Sequence, residues 1–382
     1  MQIKFLITGD YCPTGRNSEK LKKEDFSFFG EIEKYIQSSE LAITNLESPV
    51  TNSDNRIIKT GPNIKVDSNA VLALKKVGFH LVTMSNNHIL DYGVQGLNDT
   101  IEELKKNQLD YVGAGVNLET ARKSFIKTFD SVKIGILNFA ENEFGSADNS
   151  SGGANPVNPI TNFYDIQETK KQVDFLIVIA HGGREHYQLP TPKQRERYRF
   201  YVDCGADLVV GHHAHCYSGY ENYNEKLIFY SLGNFIFDYK EKYQKGMWTE
   251  GYAVSFTLKD KDIDFELIPY FQGRKENPDL VLFNSSEKND FLKRIEELNN
   301  IISNDELFES AWKNYIASQK KTYKGMLLLQ NDYIREAVRR GLIPDVSFHS
   351  KKHQLLLLNL LRCETHNEIM TKVLEDELLN LG

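Results

Sequence analysis

Residues 207–215 read Asp-Leu-Val-Val-Gly-His-His-Ala-His, and they are the most informative stretch of the sequence. A short β-rich run ends at Gly211 and is followed by three histidines within four positions. Imidazole is the commonest metal ligand among side chains near neutral pH. On an extended backbone the rings of His213 and His215 would point the same way, because side chains alternate with a period of two. The stretch therefore predicts a strand that leads into a metal site, with His212 directed away from it.

Short apolar runs of the same kind recur up to about residue 275 and indicate further buried strands. They cover residues 3–8, 41–44, 80–84, 132–139, 175–180, 208–210 and 227–232. Helical patterns lie between several of these runs, for example over 69–76 and 97–107. This alternation predicts an α/β architecture with largely buried sheets. Farther along, residues 252–258 and 263–270 alternate in polarity and predict an antiparallel hairpin.

Two parts of the chain depart from this alternation. Residues 144–159 are rich in Gly, Ser, Asn and Pro and predict a mobile loop, either a plain surface connection or a lid over a substrate. Beyond about residue 285 the pattern is helical, with an apolar face at Phe291, Ile295, Leu298 and Ile302 and a dense apolar run over 355–361. We therefore expect a domain over 1–275 and a helical extension over 285–382, packed on the core or on a second subunit of a homo-oligomer.

Composition excludes several classes of protein. The formal net charge of −7 on 382 residues, without a basic stripe, argues against a nucleic-acid binder. The four cysteines form no CxxC pair, so neither a zinc ribbon nor a disulfide framework is indicated. No apolar run is long enough to predict a membrane span, and the first apolar run is too short for a signal peptide. We expect a cytoplasmic protein.

Polar side chains follow five of the predicted strands, at the edge where open α/β sheets bind ligands. They are Asp10, Asn45, Glu47, Asn86, Asn87, His88, His181, His213 and His215. A single Asp or Asn in such a place usually caps a turn or a helix, but five strand ends together indicate a shared site. The ligands outnumber the four of a tetrahedral zinc site. They suit two divalent ions with mixed nitrogen and oxygen coordination, such as Mn, Fe or Zn.

Six motifs in order along residues 1–275 resemble those of the CapA-type poly-γ-glutamate capsule-synthesis proteins. They are Gly9-Asp10, Asn45-Leu46-Glu47-Ser48-Pro49, Ser85-Asn86-Asn87-His88-Ile89-Leu90-Asp91-Tyr92-Gly93, His181-Gly182-Gly183-Arg184-Glu185, and the stretches 205–215 and 230–238. That family is similar in turn to the calcineurin-like metallophosphoesterases. The resemblance implies an α-β-β-α sandwich with two packed mixed sheets, followed here by a C-terminal helical subdomain.

The resemblance also implies a role for each matching residue. Asp10 and His215 would bind one metal ion, and Asn87, His181 and His213 would bind the other, with Glu47 bridging both. His88 would protonate the leaving group, and Asp91 would either orient the His88 ring or cap a turn.

The sequence departs from the phosphoesterase pattern at two positions. Cys12 replaces a histidine, and Glu47 replaces an aspartate. Cys12 is either a soft-metal ligand or an ordinary small residue.

Further residues near the motifs are candidates for contact with a substrate. Arg16 and Arg184 would bind an anionic group, or else form structural ion pairs. Glu185 would hold an imidazole or form a salt bridge. We expect the remaining polar residues of the motifs to line the substrate side or the floor of the site, namely Asn45, Asn86, Asn234, Ser231 and Asp238.

These observations favour a dinuclear metal-dependent hydrolase, most simply a phosphoesterase, that acts in capsule or surface-polymer synthesis. The substrate would be a small molecule or a polymer precursor with anionic groups. Two alternatives stay open. The chain would act by amide hydrolysis or transfer on a γ-glutamyl polymer, or it would be a non-catalytic assembly protein that retains the fold.

Overall fold

The computed structural model describes residues 2–59, 61–260, 262–327 and 332–344. Within these residues the strands are β1 Gln2–Tyr11, β2 Leu41–Leu46, β3 Leu81–Thr83, β4 Asp110–Val112, β5 Ala114–Gly115, β6 Phe125–Phe129, β7 Val132–Ala140, β8 Gly153–Ala154, β9 Phe175–His181, β10 Leu208–His212, β11 Tyr220–Tyr223, β12 Lys226–Phe229, β13 Asn234–Ile236, β14 Glu250–Lys259, β15 Asp262–Phe271 and β16 Val281–Leu282. The helices are α1 Arg16–Lys22, α2 Glu33–Gln37, α3 Asn69–Val77, α4 Gly93–Lys106, α5 Leu118–Ala121, α6 Pro159–Lys170, α7 Pro192–Asp203, α8 Ser285–Ser303, α9 Asp305–Leu327 and α10 Asp332–Arg339.

Two mixed sheets form the framework. The first has the order β16-β15-β14-β1-β2-β3-β4, with β13 also paired to β1, and the second has the order β11-β12-β10-β9-β7-β6. Strands β1 to β4 run parallel, whereas β14 and β15 form the antiparallel hairpin that the alternating pattern predicts. In the second sheet β7, β9, β10 and β12 run parallel. The α/β alternation predicted from the sequence is confirmed.

Two apolar clusters show why the sheets stack. One cluster lies between the sheets and joins residues such as Phe5, Phe256 and Ile177. The other covers the opposite face of the first sheet with α1, α3 and α4, through Leu21, Leu74 and Leu97 among others. Helices α6 and α7 pack beside the second sheet, next to β7, β9 and β10. Because both faces of the central strands are covered, strands such as β2 and β9 are buried along their whole length, whereas β6 and the first half of β15 alternate between partly buried and exposed positions. The α-β-β-α sandwich expected from the resemblance is confirmed.

The helical region beyond residue 285 begins inside this sandwich unit. Phe291 and Ile295 of α8 belong to the cluster between the sheets, and Leu298 packs against it. The capping box between Asn284 and Glu287 satisfies the first amides of α8. The chain divides into two compact units, Met1–Phe308 and Glu309–Gly382, so α8 lies with the sheets. The apolar run over 355–361 lies outside the described residues.

The loop over residues 144–159 is held by its own backbone. Strand β8 pairs antiparallel with β5, and Ala154 N–H donates to Gly145 O at 2.7 Å while Ala147 N–H donates to Ala154 O at 2.8 Å. The segment therefore contains a strand that its Gly- and Ser-rich composition did not indicate. Among the described residues, no helix is long and apolar enough to cross a membrane.

Candidate metal centre

Two groups of buried side chains share the Glu47 carboxylate. One group consists of Asp10, Glu47 and His215, and the other of Glu47, His181 and His213. Within each group the candidate ligand atoms lie within 4.8 Å of one another. The parallel pairs β1–β2 and β9–β10 bring these residues together, since carboxyl ends of parallel strands meet at one edge. The arrangement is that of two adjacent candidate cation sites that share one carboxylate.

Glu47 is a fully buried carboxylate, and neither of its oxygens has a hydrogen-bond partner among the described residues. Its Oε1 lies 3.5 Å from Nε2 of His181 and 3.5 Å from Nε2 of His215. Burial, with the charge of Asp10 close by, raises the pKa of Glu47 well above its usual value. An unpaired buried carboxylate is costly, and a cation on either side would offset that cost.

The second group converges on the ring of His181. Its Nε2 lies 3.1 Å from Nδ1 of His213 and 3.1 Å from Oδ1 of Asn87. Burial, together with the neighbouring His213, lowers the pKa of His181 well below its usual value. The imidazole is therefore neutral, which is the form that binds metals. His181, His213 and Glu47 bring their candidate ligand atoms together, and the side-chain oxygen of Asn87 lies beside Nε2 of His181.

The first group is held by two asparagines. Asn45 Nδ2 donates to Oδ1 of Asp10 at 2.8 Å, and Oδ2 of Asp10 accepts the His213 backbone N–H at 3.2 Å. Nδ1 of His215 lies 2.9 Å from Oδ1 of Asn234, which leaves Nε2 facing Glu47. Burial lowers the pKa of His215 to about 3, so this ring is also neutral. The donor set fits a divalent ion with mixed nitrogen and oxygen ligands.

The backbone of the histidine cluster differs from the expected extended one. Strand β10 ends at His212, and the next residues turn, with φ of 95° at His213 and 54° at His215. Positive φ is uncommon outside glycine. The expected extended backbone is therefore wrong, yet the two rings still lie close together, with centroids 6.1 Å apart and one ring in each of the groups that share Glu47. Nε2 of His212 contacts the Thr8 carbonyl at 2.9 Å, and His212 belongs to neither group.

His88 follows Asn87 and lies in a second, separate polar cluster. Its Nδ1 is 2.7 Å from Oδ2 of Asp91, so Asp91 contacts the ring as expected of an orienting residue. The other carboxylate oxygen of Asp91 accepts from the ammonium of Lys59. Lys59 lies in a polar stretch outside every recognised motif, and no sequence signal distinguished it. Both charged side chains are buried.

Three asparagines that we expected on the substrate side lie among the ligands instead. Asn45 contacts Asp10 and lies 3.3 Å from Nδ1 of His181, while Asn234 contacts His215. Asn86 accepts the His88 backbone N–H at 3.1 Å and donates to Leu46 O at 2.8 Å. All three are buried. Their side-chain amides form hydrogen bonds to candidate metal ligands and to the backbone, because buried polar groups are paired inside a protein.

Arg16 is part of a structural ion pair. Its guanidinium donates to both oxygens of Asp238, at 2.9 and 2.8 Å, and to the carbonyls of Arg274 and Lys275. Asp238 is buried and also accepts the Arg16 backbone N–H. The contacts favour the ion-pair alternative for Arg16 over contact with a substrate.

Arg184 and Glu185 follow β9 at the more open edge of the centre. Both are partly exposed, and the Glu185 carboxylate lies 4.0 Å from Nε2 of His186. Cys12 is fully buried and is absent from both candidate metal groups. Burial raises the pKa of its thiol well above the usual value. These contacts favour an ordinary buried residue at Cys12 over a thiolate ligand.

Glu143 is a further residue that sequence reasoning missed. Its Oε2 accepts from Nδ2 of Asn87 at 3.4 Å, and its Oε1 lies 4.0 Å from Nε2 of His213. It therefore contacts two ligands of the same group from outside. The signal was present, because Glu143 follows β7 just as the ligands follow their own strands. That strand end was not among the five considered.

The chain is similar to curated proteins over part of its length. It is 36% identical over 230 residues to "PGA biosynthesis protein CapA" of Bacillus subtilis (59% of this chain, 60% of that protein). It is 33% identical over 219 residues to "Capsule biosynthesis protein CapA" of Bacillus anthracis (55% and 53%). The matched region thus spans a little over half the length of these relatives.

Solved structures resemble the chain more remotely. A 5′-nucleotidase from Candida albicans aligns with a TM-score of 0.43 and 15% identity, over 83% of this chain and 58% of that one.

The family model of the bacterial capsule synthesis protein PGA_cap matches residues 4–239, which include every residue placed in the two metal groups. The chain belongs to this bacterial capsule synthesis family.

Proposed function

We propose that this protein is a dinuclear metal-dependent hydrolase that acts on a phosphoester in the synthesis of a capsule or a related surface polymer of the poly-γ-glutamate type. The observation that carries the proposal is the buried Glu47 carboxylate, which has no hydrogen-bond partner among the described residues and lies between the neutral imidazoles of His181 and His215. The names of the relatives in the two Bacillus species support the biological setting.

Each residue would have a defined task. Asp10 and His215 would hold one ion, and the set of Asn87, His181 and His213 the other, with Glu47 shared between them. Two divalent ions such as Mn, Fe or Zn would supply positive charge that stabilises the attacking and leaving oxygens of a phosphoester.

The remaining residues would act on the proton and on the substrate. His88 would donate the proton to the leaving group while Asp91 holds its ring. Arg184, at the open edge, would bind an anionic group of a small substrate or polymer precursor.

Metal content tests the centre directly. Purified protein should carry about two ions per chain by mass spectrometry, because such centres use both ions together. His213→Ala should lose at least one of them. Fewer than about one ion in the unaltered protein would contradict the dinuclear centre.

A substrate panel tests the reaction. With Mn²⁺, the protein should cleave p-nitrophenyl phosphate or its diester, and His88→Ala should lose turnover while keeping its metal. Release of glutamate from poly-γ-glutamate, without phosphoester cleavage, would establish the amide alternative instead. Inactivity on every substrate, together with normal capsule formation by His88→Ala, would favour the assembly protein.

Location and assembly belong to the same proposal. We place the protein in the cytoplasm and expect it to self-associate through its C-terminal helices. Cell fractionation tests the location, and light scattering of the full chain beside a chain ending at Phe308 tests the assembly. If the full chain and the shortened chain form particles with the same number of chains, a C-terminal interface is contradicted.

A further inference from the structure

A loop between the Glu47 motif and α3 is attached to the motif that carries His88. This strap consists of residues 51–59 and 61–65. Its base is closed by the bridge between Val50 and Val66, with Val66 N–H donating to Pro49 O at 3.1 Å. Lys65 closes the strap on itself by donating to the carbonyl of Ser53 at 2.6 Å. Hydrogen bonds within the strap and at its base therefore fix its conformation.

Asp91 is the point to which the strap is tied. Its backbone carbonyl accepts the N–H of Ile57 at 3.0 Å and the side-chain amide of Asn63 at 2.9 Å. Its Oδ2 accepts the N–H of Ile64 at 2.7 Å. These bonds aim Lys59 inward, whereas the neighbouring Ile58 is 81% exposed.

The inward ammonium completes a buried triad. The Lys59 side chain is 3% exposed and Asp91 is fully buried, and the two are in direct contact. Lys59 Nζ also lies 3.2 Å from Nδ1 of His88, whose distance to Oδ2 of Asp91 is 2.7 Å. Burying a lysine ammonium costs free energy unless it is paired, and the contact with Asp91 supplies that pairing for Lys59.

The chemistry of the three groups selects one form of the His88 ring. An ammonium can only donate hydrogen bonds, and a carboxylate can only accept them. If Nδ1 lacked a proton, it could accept from Lys59 at 3.2 Å, but its lone pair would face the closer carboxylate of Asp91 at 2.7 Å, which is repulsive. With Nδ1 protonated, Asp91 accepts from His88 on one oxygen and from Lys59 on the other. The ring nitrogen that remains for the reaction is then Nε2.

We infer that Lys59 is a positioning residue, which holds the Asp91 carboxylate in the orientation that fixes the ring and tautomer of His88. It acts through Asp91, and among the described residues its ammonium is bonded to Asp91 and lies beside His88 rather than bonding a candidate metal ligand. This inference deepens the proposed function and rests on it for the kinetic part of its test. The strap thereby links the motif of the bridging ligand to the motif of the proton donor.

The test compares Lys59→Met with the unaltered protein by two independent measurements. In ¹⁵N spectra of histidine-labelled, Zn²⁺-loaded protein, His88 should show one tautomer protonated at Nδ1, and Lys59→Met should show a mixture. The His88 signal is assigned by its loss in His88→Gln. For p-nitrophenyl phosphate, kcat should fall about 10–100-fold, as for other partners that orient reactive groups, with little change in KM.

Three controls separate positioning from folding. Arg56→Met removes an exposed cation from the same strap and should leave kcat and the His88 signal unchanged. Lys59→Gln keeps a donor for Asp91 and carries the test if Lys59→Met does not fold. In an Asp91→Asn background, Lys59→Met should cost little more, because a residue that acts through Asp91 has no separate effect.

Each result decides the inference. A folded Lys59→Met protein with unaltered kcat and an unaltered His88 spectrum would overturn it, as would full additivity with Asp91→Asn. If the unaltered protein cleaves no phosphoester, the proposed function fails, while the spectrum still decides whether Lys59 selects the His88 tautomer.

Discussion

Nδ1 of His215 lies 2.9 Å from the side-chain oxygen of Asn234, and this contact determines which ring nitrogen is available to a metal. The amide oxygen accepts, so the proton of the neutral ring is on Nδ1 and the lone pair is on Nε2. Nε2 faces the shared carboxylate of Glu47 at 3.5 Å. Partners of this kind orient metal ligands and are nearly as important as the ligands themselves.

Replacing Asn234 should therefore weaken one metal site. We expect Asn234→Ala to lower the affinity of the site formed by Asp10, Glu47 and His215 about 10–100-fold. Asn234→Asp keeps an oxygen acceptor and should retain more of the affinity. Calorimetric titration of the metal-free protein measures both variants. Equal affinities for Asn234→Ala and the unaltered protein would show that His215 needs no partner.

Glu47→Gln should stabilise the metal-free protein while abolishing the loading of two ions. The pKa of Glu47 in the folded protein is raised above its ordinary value of 4.5. The unfolded chain therefore releases this proton more readily, and the free energy of unfolding falls as the pH rises above 4.5. An uncharged amide avoids that cost, with an expected gain of about 1–3 kcal/mol near neutral pH. Urea unfolding measures the gain, and the exposed Glu297→Gln is the matched control. A destabilised Glu47→Gln protein would contradict this account.

The stability of the metal-free protein should also depend on His215 at mildly acid pH. The pKa of His215 is lowered from 6.5 to about 3 in the folded protein, mainly by burial. The unfolded chain binds a proton between these values and the folded one does not. Stability therefore falls as the pH drops below 6.5, by at most about 1.4 kcal/mol per pH unit for this group.

Urea unfolding of metal-free protein between about pH 7 and 5 measures this slope. His215→Gln removes the proton that the unfolded chain would take up, so its slope should be shallower than that of the unaltered protein. Identical slopes would mean that His215 is not held neutral by burial.

The contacts of Arg16 predict a loss of stability rather than a loss of substrate binding. Arg16→Met would leave the buried Asp238 carboxylate with fewer donors, namely the Arg16 N–H and Gln244. We expect a loss of roughly 1–3 kcal/mol in the free energy of unfolding. Metal content and KM for p-nitrophenyl phosphate should stay unchanged. A raised KM at unaltered stability would instead restore Arg16 as a substrate ligand.

Glu143 should influence the site formed by Glu47, His181 and His213. Glu143→Gln keeps the size of the side chain but removes the charge beside Asn87 and His213. We expect a weaker affinity for the second ion, with the first ion unaffected. Stepwise metal titration followed by mass spectrometry separates the two. Glu141→Gln, at the same strand end and paired with Arg197, is the comparison variant.

Local pattern was enough to locate nine of the strands and the polar residues that follow five of them, whereas the other strands of the described residues had no predicted counterpart: β4, β5, β6, β8, β11, β13 and β16. A run such as Phe175–His181 is apolar throughout because both faces of its sheet are covered, and this is visible in the sequence itself. Where parallel strands pair, their carboxyl ends meet, so Asp10 and Glu47 were predictable as neighbours on one sheet and His181 and His213 on the other. The two departures, Cys12 and Glu47, were visible too, although the burial that decides their chemistry was not.

By itself, the sequence determined the α/β alternation and the residue types that follow its strands, because both follow from short-range periodicity. The sandwich of two packed sheets was implied by the family resemblance. The division of the ligands between two ions was implied by the resemblance, and only the tertiary structure decided the backbone and the contacts that bring each group together. The left-handed turn at His213 and His215 directs their rings to different groups, and no residue pattern announces such a turn. Lys59 meets Asp91 across 32 residues of chain, through a strap without regular secondary structure. Such pairings depend on three-dimensional packing and burial, which set the energy of a charge and are not encoded in any local period.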